Sequence, residues 1–242
     1  MTRITTACLD LAGTTVADDG VVLAAFAAAV ARFGMTPGSA AQESALRIVN
    51  STMGQSKIEV FRRILGSETA AAQANHAFEE HYAGSVQAGA VLALPGAAET
   101  ILALRAAGIR VCLATGFAPA TRDAVISSLG WWPLIDLALS PADAGRGRRW
   151  PDLPLTALLR LGGGAVGELL VAGDTASDIE SGLRAGAGVV AGVLTGAGSR
   201  QQLADAGAPY ILDAITGLPA LLGLGPDLVR TSGPEPGPAP AG

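Results

Sequence analysis

The chain has 242 residues, 16 Lys+Arg against 21 Asp+Glu, a formal net charge of −5 and 50% hydrophobic residues. Only 15% of the residues are charged, and mean hydropathy is +0.41. That composition excludes a disordered chain, and an acidic chain with no basic run argues against a nucleic-acid partner. The most apolar stretches, Val21 to Val30 and Leu212 to Leu224, fall short of the roughly 20 residues a membrane span needs, so no membrane association is expected. Met1-Thr2-Arg3-Ile4 runs straight into a strand-like segment without a signal-peptide pattern, and the expected location is cytoplasmic. Cys8 and Cys112 sit inside apolar runs and read as reduced core residues. Among the basic residues 15 are Arg and one, Lys57, is Lys, a bias that a GC-rich genome explains except for where the one Lys stands.

In chain order, the apolar run Ile4–Leu9 reads as a first strand. It is followed by about 80 residues with no strand-like segment. Val21–Phe33, Ala40–Asn50, Ser56–Leu65 and Glu68–Gly84 read there as helices. Leu94-Pro95-Gly96 marks a return to alternating elements. Strands are expected at Arg110–Ala114, Leu134–Leu139, Leu169–Ala172, Val189–Leu194 and Tyr210–Leu212. Helices are expected at Ala97–Ala107, Pro119–Leu129, Asp152–Leu161, Ala176–Ala185 and Ser199–Ala206. Strands joined by helices predict an α/β fold with a doubly wound parallel sheet. The predicted division is a core formed by residues 1–15 and 92–224 and a helical cap at 16–91, inserted after the first strand. A disordered Pro/Gly tail is expected at 225–242.

Ligands of such sheets bind beyond the C-terminal strand ends. The first strand runs into Asp10-Leu11-Ala12-Gly13-Thr14-Thr15, which places a carboxylate there, or an Asx-turn that merely closes the strand. The next core strand ends Thr115-Gly116-Phe117, a hydroxyl with backbone N–H groups for an anion, or a helix cap. A basic loop follows at Gly145-Arg146-Gly147-Arg148-Arg149-Trp150. The strand at Leu169–Ala172 then leads to Asp174-Thr175-Ala176-Ser177-Asp178, whose two carboxylates suit a hard cation better than capping alone.

Taken together and in this order, these four elements resemble the haloacid dehalogenase superfamily over the chain as far as about Leu222. The resemblance implies in-line attack of Asp10 on phosphorus, assisted by Thr115 and by a basic residue, Arg148 in the favoured register and Arg146 in the rival one. It also implies Mg²⁺ held by Asp10, the Ala12 carbonyl and Asp174, with Asp178 behind them. Most phosphatases of the superfamily carry a second Asp two residues after the nucleophile, as general acid and base. Here that position is Ala12, and an alcohol leaving without its acid forfeits roughly 10²–10⁴-fold in rate.

Asp10-Leu11-Ala12-Gly13-Thr14-Thr15 combined with Met53-Gly54-x-x-Lys57 is similar to phosphonoacetaldehyde hydrolase and phosphonatase-like hydrolases. In that family the cap Lys forms a Schiff base with a substrate aldehyde, and the iminium takes the electrons of the breaking C–P bond. Only a primary amine makes this imine, so none of the 15 Arg could stand in for Lys57. Met53, Gly54 and Gly116 are the implied substrate contacts. The substrate implied is a small-molecule phosphonate or phosphate, and the implied assembly is a homodimer through the cap, for which Val21–Val30 is apolar enough. Two positions depart from phosphonatase: Val60 replaces a His and Phe117 a Tyr. His76 and His81 fit neither place and are expected on the surface or in packing roles. The alternatives are a phosphomonoesterase of phosphoglycolate phosphatase type, in which Lys57 only binds substrate, and a non-catalytic binding protein on the same fold.

Overall fold

The computed structural model of the chain describes residues 3–17 and 20–224; the tail expected at 225–242 lies outside the described residues. β1 (Thr6–Asp10) leads into four successive helices, α1 (Val21–Ala31), α2 (Ala40–Ser51), α3 (Lys57–Leu65) and α4 (Glu68–Gln87). Helix α5 (Ala97–Ala106) then precedes β2 (Arg110–Ala114), followed by α6 (Pro119–Ser128) and β3 (Leu137–Leu139). The chain continues through α7 (Pro141–Ala144), α8 (Asp152–Arg160), β4 (Leu169–Gly173), α9 (Ala176–Ala185) and β5 (Val189–Val193). It ends in α10 (Arg200–Asp205), β6 (Tyr210–Leu212) and α11 (Leu218–Leu221).

All six strands are parallel and lie in the order β3-β2-β1-β4-β5-β6, the doubly wound α/β arrangement. Every residue of β1, β4 and β5 is buried, because helices cover both faces of the sheet. That is why these strands read as unbroken apolar runs rather than as alternation.

The differences from the sequence reading have local causes. The strand expected from Leu134 begins only at Leu137, because Trp132–Leu134 forms a 3₁₀ turn containing Pro133, which has no N–H for a ladder. Helix α4 runs through Gly84 to Gln87 instead of ending there. The four-residue helices α7 and α11 are too short for periodicity to reveal.

The helices α1–α4 leave and rejoin the sheet at one place. Val16 makes isolated bridges to Ala12 and to Ala93, and the Ala17 N–H donates to the Leu92 carbonyl at 2.8 Å. The outgoing and returning chain are therefore tied together at the edge of the expected insertion. Within α1–α4 the apolar faces meet in a cluster of aromatic rings. Phe78 of α4 lies 4.8 Å from Phe26 of α1, 6.2 Å from Phe61 of α3 and 6.2 Å from Phe117, which follows β2. Tilted and offset rings at such distances contribute beyond their buried area. The larger side chains of α1, Val22, Phe26 and Val30, lie inside this packing, and Val21 and Leu23 pack against it partly buried. No helix among the described residues is long and apolar enough to cross a membrane.

Phe78 is fully buried at the centre of the cluster, so Phe78→Ala is expected to lower stability by about 3–5 kcal/mol in denaturant unfolding. A loss below about 1 kcal/mol would show that the cluster does not organise these helices.

Candidate active site

Register brings the candidate residues to one edge of the sheet. Asp10 ends β1 opposite Ala114 of β2, so Thr115 emerges beside it. On the other side Leu9 pairs with Ala172 of β4, which brings Gly173 and Asp174 alongside Asp10. β1 is the central strand from which the chain winds outward in both directions, the switch point where open α/β sheets bind ligands.

Arg148 ties this edge together. Its Nη1 lies 2.8 Å from Asp10 Oδ1, its Nε 2.6 Å from Asp178 Oδ1, and its Nη2 donates to the Ala114 carbonyl at 2.7 Å. All three ionic side chains are buried. Burial opposes the guanidinium charge, but the Asp178 and Asp10 carboxylates outweigh it and raise the Arg148 pKa, so Arg148 is charged. Asp178 is also fixed from α9: Thr175 and Asp178 form a reciprocal capping box, with the Thr175 N–H donating to Asp178 Oδ2 at 3.1 Å. Of the two rival arginines, Arg148 reaches the carboxylates. Arg146 is exposed, pairs with Asp152 at 2.9 Å and lies over the Trp150 ring.

Asp10, Asp174 and Asp178 each offer an oxygen within 4.8 Å of the others. Burial pushes the Asp10 carboxyl up to about 6, with Arg148 pulling the other way. Burial and the neighbouring Asp10 and Asp178 charges raise Asp174 well above the ordinary range. Asp174 is held in place by the Ala197 N–H at 2.7 Å and the Thr14 hydroxyl at 3.3 Å. At Gly13, with φ +86°, a Cβ would come within 2.5 Å of Asp174 Oδ2, so both backbone shape and space require glycine there. Three buried carboxylates facing one guanidinium suit a hard divalent cation, which takes oxygen ligands and relieves their repulsion. Asp178 already accepts from Arg148 and Thr175. Asp10 and Asp174, with Ala12, line the small cavity between the two walls, whereas Asp178 does not.

The helical segment supplies the opposite wall. Lys57 is the first residue of α3; its N–H donates to the Gly116 carbonyl at 3.4 Å, and its Nζ sits 4.9 Å from the centroid of the Phe117 ring. The loop before it approaches the sheet closely because two glycines permit it. A Cβ at Gly116 would meet the Gln55 carbonyl oxygen at 2.5 Å, and one at Gly54, where φ is +82°, would strike Thr175. Asp10, Ala12, Met53, Gly54, Lys57, Thr115, Gly116, Arg148 and Asp174 line a single small cavity of about 20 Å³, space for roughly one water molecule. Of the expected site residues only Asp178 does not line it, and it stands behind Arg148.

Val60, where phosphonatase has His, is buried among apolar side chains, and His76 and His81 are exposed, away from this cavity. Sequence reading missed Thr14, the Ala197 N–H and Glu79. Glu79 of α4 accepts from the Ala118 N–H at 3.3 Å and from the Thr121 hydroxyl, at the start of α6. No pattern in the sequence points to these long-range contacts. The Thr175–Asp178 capping box was likewise not read from the sequence, which weighed only capping by one of the two carboxylates.

A family model of haloacid dehalogenase-like hydrolases matches residues 4–186, and the chain belongs to that family of hydrolases. It is 30% identical over 125 residues to the probable phosphatase IndB of Dickeya dadantii (strain 3937); the match covers 52% of this chain and 54% of that relative, about half its length. The structure of a phosphonoacetaldehyde hydrolase-like protein from Oleispira antarctica superposes with a TM-score of 0.78 at 25% identity, covering 94% of this chain and 93% of that one. A predicted phosphoglycolate phosphatase from Haemophilus somnus 129PT gives 0.76 at 18% identity, covering 91% and 99%, and shares the fold.

The raised Asp174 carboxyl favours its proton in the folded state, so this contribution to stability is present at acid pH and lost as pH rises through the raised value. In chelator near pH 7.5, Asp174→Asn is therefore expected to melt above the wild type. Mg²⁺ at a hundredfold excess over its Kd is expected to stabilise the wild type by about 2.7 kcal/mol and to leave the variant unmoved. Equal Mg²⁺ shifts in both proteins, read by thermal melting, would remove Asp174 from the cation site.

Proposed function

We propose that the chain is a Mg²⁺-dependent phosphonatase-like hydrolase that cleaves the C–P bond of a carbonyl-bearing organophosphonate. The observation that carries this reading is a pairing: Lys57 reaches the same small cavity as Asp10, while Ala12 brings no proton donor to it. A carbon leaving group drained by an iminium does not need the acid that Ala12 lacks. The reading also treats residues 16–91 as a cap that closes over residues 1–15 and 92–224.

In this mechanism the Lys57 amine condenses with the substrate carbonyl and releases water, giving an imine that is protonated. Phe117 offers the face of its ring to the resulting cation. Arg148, charged and fixed by Asp178, orients the Asp10 carboxylate and balances charge on the phosphoryl oxygens, which also meet the Thr115 hydroxyl and the Gly116 backbone. Asp10 forms an O–P bond as the C–P bond breaks; the C–P electron pair becomes the C=C bond of an enamine, and the iminium C=N pair moves to nitrogen. Water then cleaves the aspartyl phosphate, while protonation and hydrolysis of the enamine return Lys57. Asp10, the Ala12 carbonyl and Asp174 are the groups that would hold Mg²⁺, which when bound would supply Lewis-acid neutralisation of the phosphoryl charge. The substrate is a small molecule, and a homodimer through the cap belongs to the same reading.

A second reading, a phosphomonoesterase in which Lys57 only binds the substrate anion, has specific support. Val60 is buried among apolar side chains and Phe117 has no hydroxyl, so neither polar group that phosphonatase uses around its Lys is present. The relative IndB also carries the description of a phosphatase.

Borohydride reduction in the presence of phosphonoacetaldehyde and related phosphono-ketones separates the two. The phosphonatase reading expects a covalent mass increment on the Lys57 peptide, dependent on both substrate and reductant. No increment with any carbonyl phosphonate that is turned over would rule out the imine.

A further inference from the structure

A groove of about 670 Å³ opens beside the small catalytic cavity and shares Lys57, Gly116, Phe117 and Arg148 with it as a common wall. Its lining is charged far out of proportion to the chain. Of 16 Lys+Arg in an acidic protein, seven line this groove, and among the described residues its lining holds one carboxylate, Glu59. Beyond Lys57 and Arg148 the cations are Arg62 and Arg63 from α3 on one side and Arg146, Arg149 and Arg184 on the other. Trp150, 47% exposed, stands among them with Arg146 4.3 Å and Arg184 5.5 Å from its ring.

Much of this charge is already paired. Arg62 bonds Glu59 and Glu68, Arg146 bonds Asp152, and Arg184 lies 2.9 Å from Glu180. Two guanidiniums remain available. Arg63 is exposed and makes no ion pair among the described residues, and Arg149 has one loose contact, to Glu180 at 3.6 Å. Both line the groove, Arg63 from α3 and Arg149 from the loop that carries Arg148. Clefts lined by one sign of charge concentrate the opposite charge.

The inner cavity, at about 20 Å³, is far smaller than the neighbouring groove of about 670 Å³, so the groove is the space beside it that can take the body of a longer substrate. We infer that the groove is a specificity subsite: the natural substrate carries, beyond its reacting phosphorus group, a second anionic group, carboxylate or phosphate, bound between Arg63 and Arg149. This deepens the hydrolase reading above and rests on it for placing the reacting group at Asp10. The basic groove itself does not depend on whether Lys57 forms an imine.

The test measures binding and turnover separately. Calorimetric titration of the wild-type chain in Mg²⁺ compares 3-phosphonopropanoate with its carboxyl methyl ester, which has the same phosphonate and no second anion. The acid is expected to bind about tenfold more tightly, as one or two charge-assisted contacts provide. The Arg63→Ala/Arg149→Ala variant is expected to bring the acid down to the ester's affinity without changing the ester. Equal affinity of acid and ester for the wild type, or a preference that survives in the double variant, would overturn the subsite. The acid preference together with no phosphate release from any phosphonate or phosphate ester leaves the groove standing and removes the hydrolase reading. Turnover without an acid preference does the reverse.

Discussion

The buried guanidinium of Arg148 is the contact on which the rest of the site depends. It spans Asp10 and Asp178, holds the Ala114 carbonyl, and so locks the ends of β1 and β2 to the start of α9. Three carboxylates would not stay together out of water without a compensating cation, since their mutual repulsion adds to the cost of burial. Arg suits this task better than Lys, because its planar fork serves two carboxylates and a carbonyl at once. The remaining negative charge is what makes the edge receptive to a divalent cation.

Around that fixed edge the chain divides its chemistry between two walls. The strand ends contribute Asp10, Thr115 and Asp174, and the loop before α8 contributes Arg148; the helical segment contributes Lys57 and the loop from Met53. Their approach is set by absent side chains, at Gly54 and Gly116, where a single Cβ would collide with the facing wall. Glu79 adds a polar contact across the same boundary, to the start of α6. Phe117 serves both sides, as a member of the aromatic cluster and as the surface beneath the Lys57 ammonium.

Much of this was legible in the residues alone. The strands were, because double burial makes them continuous apolar runs, and Asp10, Thr115 and Asp174 were, because each follows such a run directly. The choice between Arg146 and Arg148 was not, since both occupy a loop without periodicity and only the fold decides which guanidinium turns inward. The contacts of Thr14, Ala197 and Glu79 were hidden for a different reason: they join residues far apart in sequence through backbone groups or ordinary side chains. The basic groove was invisible for the same reason, because Arg62 and Arg63 come to line one groove with Arg149 only in the folded chain.

In the proposed reaction Lys57 serves through its amine and not through its charge. Phosphate release measured side by side for wild type and Lys57→Arg, on a carbonyl-bearing phosphonate and on a phosphate ester, tests that most directly. The imine reaction predicts release from the phosphonate by the wild type and a loss of at least about a hundredfold in the arginine variant, which keeps the charge but cannot form an imine. Full activity of Lys57→Arg, with the ester as the better substrate, would contradict it.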